Sequence, residues 1–377
     1  MLSILREFKV GRPQVIAGLL LLAFFSQCLW VGGSRKLSDL EYQYIAAGLP
    51  QKPGLELGVT SPLTGWVAAL PLKVTSAVRK FAPAAVKAAL AIPQPWFLRL
   101  PFMIFGFWLG AALWWVARRL FGDPGGYIAL ALYCFSPAMV QISSNIGPEI
   151  ILAWGSFGLI YTSIGVAHTV YSPPRKWLPR IGVLGLSIGF CISTVLWSAT
   201  LLPLAAGYML YLAPNRRRPV LVILGSALLL GGAILACVAW LTGSIGLPSL
   251  AYITPVLSKD ILYALGFAIV DGLTLAVLMV MASTAYGSWQ RARYFGNTAP
   301  LVTSFFSVVI FALVPAIYLW KLPLGLSFTF VYIGGVAADL LETPYRRLFL
   351  WFAGLAGCIR VGEDFVRLAA WIHQNAL

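Results

Sequence analysis

Apolar residues run along this chain in long blocks instead of alternating with polar ones. Val15–Gly33, Phe102–Ala117, Val220–Leu241 and Leu301–Trp320 approach or reach the ~20 apolar residues that carry a helix across ~30 Å of hydrocarbon. The polar interruptions are short and mostly basic. Arg6, Lys9 and Arg12 precede the first block. Arg118–Arg119, then Arg175, Lys176 and Arg180, then Arg216–Arg218, Arg291 and Arg293, and finally Arg346–Arg347 follow at intervals. With every such cluster on the cytoplasmic side, the pattern predicts an all-α polytopic membrane protein of about 11 transmembrane helices. They fall near residues 15–33, 97–117, 124–143, 149–170, 181–197, 199–213, 219–241, 261–286, 299–320, 323–341 and 347–370. The pair within 181–213 is short for two straight crossings and predicts a bent hairpin. Arg360, Glu363, Asp364 and Arg367 interrupt the last span, whose "EDFVRLAAWI" also suits an amphipathic helix at the interface.

One segment breaks the pattern. Between the first two spans, residues 34–95 form a long, semi-polar extracytoplasmic loop, and long loops in compact proteins usually carry function. "SDLEYQYIAAG" places Leu40, Tyr44 and Ala47 on one helical stripe, and "LTGWVAALPLKVTSAVRKF" is a second amphipathic stretch suited to a headgroup layer. Ser38 and Glu41 are spaced as a capping box, serine capping the helix and glutamate reaching back.

Composition narrows the class. The chain is 60% hydrophobic and 10% charged, against roughly a quarter charged in a soluble domain. Its net charge of +15 is accounted for by positive-inside topology against anionic lipid, so no nucleic-acid partner is expected. The first block is too long for a signal-peptide core and no small-x-small site follows, which predicts a retained first helix with a cytoplasmic N-terminus. The five cysteines all fall in apolar segments and give neither a disulfide framework nor a metal spacing.

The scarce acids therefore stand out. Of 12, Asp39, Glu41, Glu56, Glu149 and Asp260 fall on the outer side. Asp39 is less well explained by the cap than Glu41 is. Glu149 follows Pro148 into the first turn of a span, a favourable dipole position that is also a functional candidate. Arg99 opens the second span on the same face, where it can neutralise an acid, hold a phosphate or snorkel. Arg35, Lys36 and Lys52 put cations where positive-inside statistics would not, as an anionic headgroup or phosphorylated substrate would require. Asp271, deep in the eighth span, either serves function or bonds a neighbouring helix. Walker A and GxSxG motifs are absent, and His168 and His373 lie far apart.

The order of pieces resembles the GT-C class of membrane glycosyltransferases, particularly the bacterial branch related to lipid A aminoarabinose transferases and protein O-mannosyltransferases. The resemblance is carried by "TSPLTGWVAALPLKV" and by Arg99 to about Phe157. Within the latter lie R-L-P, R-R-L-F-G, S-P and P-E. It implies a GT-C-like module over 1–218, including the loop 34–95, followed by C-terminal transmembrane helices over 219–377. The implied activity moves a sugar from a polyprenyl-phosphate carrier to a lipid or protein acceptor outside the cell. Asp39, Glu149 and Glu41 are the catalytic candidates, Asp39 being the general base; Lys52, Arg35, Lys36 and Arg99 are the donor-phosphate ligands. A divalent cation beside Asp39 and Glu149 is the one cofactor this reading admits. The sequence departs from the branch at its D-E-x-x-Y acids, at Thr60-Ser61-Pro62 in place of Glu-Lys-Pro, and at Glu149 in place of aspartate. The expected location is the bacterial inner membrane, with anionic lipids and membrane-complex subunits as partners. A catalytically inactive GT-C-like subunit or scaffold is the alternative, and a transporter built on Asp271 the third.

Overall fold

The computed structural model of the chain describes residues 11–49, 61–81, 94–242, 271–288, 295–313 and 322–375. Thirteen α-helices and no strand are found among them. The first, α1 (Arg12–Ser34), is the expected first span, with proline at its start. The outer loop supplies α2 (Asp39–Ala47) and α3 (Pro62–Phe81). The second and third spans are joined in a single element, α4 (Pro95–Cys134), continued by α5 (Pro137–Ser143). Then come α6 (Pro148–Thr169), α7 (Trp177–Thr194), α8 (Leu202–Leu212) and α9 (Arg217–Thr242). The C-terminal part contains α10 (Leu273–Ser288), α11 (Phe295–Leu313), α12 (Leu322–Leu341) and α13 (Arg346–Asn375).

Among the described residues, five segments are long and apolar enough to cross a membrane: Arg12–Ser34, Pro95–Cys134, Pro148–Thr169, Pro174–Thr194 and Pro214–Thr242. The expected hairpin at 181–213 is α7 and α8, joined by the 3-10 turn Leu196–Leu201. Their short helices and this turn make the bend that the length required.

Turning α4 back on itself takes one residue. Gly122 has φ 74° and ψ −176°, a conformation almost confined to glycine, so the helix reverses at the basic end without a loop. Arg118 donates to Asp123 across this bend at 2.5 Å. Small residues let α7 and α9 approach closely. A side chain at Gly189 would strike the Ile234 side chain, and one at Gly231 that of Ile188, so each glycine seats an isoleucine of the other helix. Such contacts drive membrane association where lipid removes the hydrophobic incentive. Outward, α9 presents Leu221, Val222, Leu229 and Trp240 to the surroundings, as a lipid-facing helix must.

One expectation changes. The buried face of α2 is Glu41 and Ile45, while Leu40 is exposed. A carboxylate displaced the apolar stripe because it meets a buried cation. The last helix, α13, packs against α1, α5, α10 and α12, and buries Arg360, Asp364 and Leu368.

Candidate functional site

The outer end of the bundle is built around Arg99, in the first turns of α4. It is fully buried, and all five of its N–H donors are used. Nε donates to Glu41 Oε1 at 2.8 Å and one Nη to Glu41 Oε2 at 2.7 Å, a bidentate pair. The remaining donors reach the carbonyls of Gly32 (2.7 Å), Arg35 (3.0 Å) and Lys36 (2.8 Å). These are the orphan carbonyls at the end of α1, which a cation suits.

Glu41 is equally committed. Its carboxylate accepts the Ser38 N–H at 2.9 Å while Ser38 Oγ accepts the Glu41 N–H at 3.3 Å, so the capping box forms as expected. It also accepts the Ile146 N–H at 3.1 Å, from the loop between α5 and α6. Burial alone would raise the Glu41 carboxyl. The hydrogen bonds and charge of Arg99, with the Ser38 and Ile146 N–H groups, outweigh that and hold it below the usual carboxylate range. A depressed folded pKa contributes stability above the unfolded value of about 4.3, lost as pH falls through the folded value. The thermal stability of the wild type will therefore fall progressively below about pH 4.3, whereas Glu41→Gln will lack this component of the acid slope.

Arg35, at the end of α1, is the contrasting case. Only 6% exposed, it makes one side-chain hydrogen bond, to Asn145 Oδ1 at 2.6 Å. Its guanidinium lies 3.7 Å from the ring centre of Trp371 on α13, a cation–π contact. Its Nε–H is buried without a partner. Burial and then the charge of Arg99 lower its pKa to about 10, Glu41 opposing, so it remains a cation at neutral pH. A buried cation with unused donors suits an anion.

Asp39 occupies the exposed first turn of α2, two residues before Glu41. Glu149 is half-buried in the first turn of α6, three residues after Ile146, with its carboxylate folded back over Gly147. The Glu41–Ile146 hydrogen bond thus ties together the two short segments that carry Asp39 and Glu149. Lys36 is exposed beside them. Lys52, Glu56 and Asp260 lie outside the described residues.

The geometry redistributes the expected roles. Arg99 is neither snorkelling nor open to a phosphate, since every donor already has a protein acceptor. Glu41 is bound on both oxygens and holds the cap together. Among the described residues no three His, Cys, Asp or Glu side chains converge to hold a metal. Asp39 and Glu149 alone do not make up such a donor set.

Asp271 is a structural partner. Its carboxylate accepts Ser136 Oγ at 2.5 Å and the Ala138 N–H at 3.1 Å at the start of α5, and it pairs with Arg360. Glu363 caps α10 through the Leu273 N–H at 2.7 Å and the Thr274 N–H at 3.3 Å. Sequence reading missed Arg360, Asn145 and Trp371 as partners. Asn145 stood in plain view in "SSNIGP"; the others become neighbours only through tertiary packing.

Comparison with known proteins gives a consistent picture. The family model for dolichyl-phosphate-mannose-protein mannosyltransferase matches residues 81–242. No curated sequence matches the chain significantly. Among solved structures, the Archaeoglobus fulgidus oligosaccharyltransferase tethered to an acceptor peptide superposes with TM-score 0.62 at 11% identity, over 97% of this chain and 55% of that one. The same organism's oligosaccharyltransferase AglB, in complex with an inhibitory peptide and a dolichol-phosphate, gives 0.55 at 12% identity, over 94% and 56%. ArnT from Cupriavidus metallidurans bound to undecaprenyl phosphate gives 0.62 at 13% identity, over 90% and 62%. The chain thus spans somewhat over half the length of these structures.

Proposed function

We propose that this chain, an integral membrane protein with the GT-C membrane-glycosyltransferase fold, moves a sugar from a polyprenyl-phosphate carrier to a lipid or protein acceptor at its outer end. The observation that carries this is Arg35: a cation buried at the headgroup end of α1, braced by Trp371 and Asn145, with its Nε–H unpartnered. A lipid-linked phosphate is an anion that reaches this depth. Dolichol-phosphate and undecaprenyl phosphate are bound by the two structurally similar proteins described above.

In this reading Asp39 takes the proton of an acceptor hydroxyl, whose oxygen attacks the anomeric carbon with inversion. The carrier phosphate leaves, its charge held by Arg35 and assisted by Lys36 and Lys52. Glu149 lies in the neighbouring first turn, where it orients acceptor or sugar hydroxyls. The site faces outward from a bacterial inner membrane, with the N-terminus cytoplasmic.

The test is binding of polyprenyl phosphate to the purified protein. Arg35→Gln should weaken it by about 10- to 100-fold, as expected for losing a charged hydrogen bond of ~1.5–3 kcal/mol. Unchanged affinity in a folded variant would remove the carrier from this site.

A second reading has its own observation. With Glu41 locked to Arg99, Asp39 is the one acid of "SDLE" left open, which also suits a carrier-binding subunit that performs no transfer. Carrier binding without turnover by the wild-type protein, supplied with its lipid-linked donor, would favour that reading.

A further inference from the structure

A large groove lies far from the outer site, in the half of the bundle that ends at the basic residues. There α13 stands off from the second half of α4 and from α10 and α12, leaving a groove of about 930 Å³. Leu132, Leu278, Val336, Phe352 and Gly357 form its walls, and Arg360, turned onto Asp271, closes its deep end. Its mouth is at Ser288, Thr343 and Tyr345, beside the exposed pair Arg346–Arg347.

Four properties define what fits. The walls offer too few polar groups to hold that volume as ordered water, which needs 2–4 partners per molecule. The apolar wall on α13, from Leu348 to Gly357, rises about 14 Å at 1.5 Å per residue. That equals the depth of one leaflet of a bilayer with a ~30 Å core. The volume corresponds to about 30 water-sized units, each comparable to a methylene, which is the bulk of two acyl chains and not one. The charge at the mouth is positive and uncovered.

We propose that this groove is a binding site for an anionic diacyl glycerophospholipid. Its chains fill the space under α13 and its phosphate rests on Arg346 and Arg347. On positive-inside orientation this is an inner-leaflet lipid. The site is separate from the outer carrier site and does not rest on the transfer reading. A polyprenyl chain matches it less well, since Arg360 stops the groove at leaflet depth.

The test uses the full chain in phosphatidylcholine nanodiscs doped with phosphatidylglycerol carrying a photoreactive acyl chain. Cross-links should map to α10 and to residues 348–361, with a preference over the equivalent phosphatidylcholine probe of roughly thirtyfold, which two near-surface arginines provide. Gly357→Leu projects into the groove, where an added Cβ meets nothing within 4 Å, and it favours the helix. It should remove most labelling from a stably folded protein. Replacing Arg346 and Arg347 with alanine should abolish the anionic preference while phosphatidylcholine labelling persists. Undiminished labelling of Gly357→Leu, equal labelling of the wild type by both probes, or labelling by a polyprenyl-phosphate probe alone would overturn the proposal.

Discussion

Asp39→Asn should reduce sugar transfer by about 10²–10⁴-fold, the range for loss of a general base, and leave folding unchanged. The substitution keeps shape and hydrogen-bonding capacity but cannot accept a proton. Asp39 is exposed in the first turn of α2 and supports no neighbouring side chain among the described residues, so its removal has no structural route to such a loss. Carrier binding should also persist, because Arg35 is held by Trp371 and Asn145, not by Asp39. Turnover measured with a lipid-linked sugar, beside carrier affinity, separates the cases. A small loss of turnover in a folded, carrier-binding variant would show that Asp39 is only a favourable helix-start residue.

Glu41→Gln, two residues on, should behave in the opposite way. Arg99 would remain fully buried with its counter-charge removed, and breaking a buried pair costs about 3–5 kcal/mol because an uncompensated charge is left behind. Unfolding in graded denaturant should show that loss whether or not any transfer is measured. Arg99→Met should cost a similar amount, leaving the Glu41 carboxylate unpaired. The double variant Arg99→Met with Glu41→Leu should recover part of the loss, since removing both charges is often neutral. Full additivity would mean that the two side chains contribute independently of their bidentate contact.

These two acids show how far the sequence could be read. Long apolar blocks and basic clusters are local, length-coded signals, and the helices follow them closely: α1, α6, α7 and α9 fall where the pattern put them. The capping box was legible for the same reason, since Ser38 and Glu41 are three residues apart. What Glu41 is for was not legible. Its partner is 58 positions away, and no local rule separates a buried bidentate pair from a snorkelling arginine. Leu40 was placed on the buried face because period and hydropathy favour it, yet a carboxylate bound to a cation takes that place. Asp271 was visible as an anomaly, and Arg360 as another; that they satisfy each other required folding the chain. Arg35 and Trp371 lie almost at opposite ends of the sequence.

That last separation bears on how the protein is made. Every acceptor of Arg99 precedes it in the chain, so the clasp at the end of α1 can close soon after the second span emerges. The Ile146 N–H joins Glu41 only later. Arg35 has to wait for α13, because the ring that supports its charge belongs to that much later helix. A product cut short before Trp371 can therefore insert and assemble its outer knot, yet carry Arg35 without its brace. In this arrangement Arg35 gains its brace only after the clasp around Arg99 has closed.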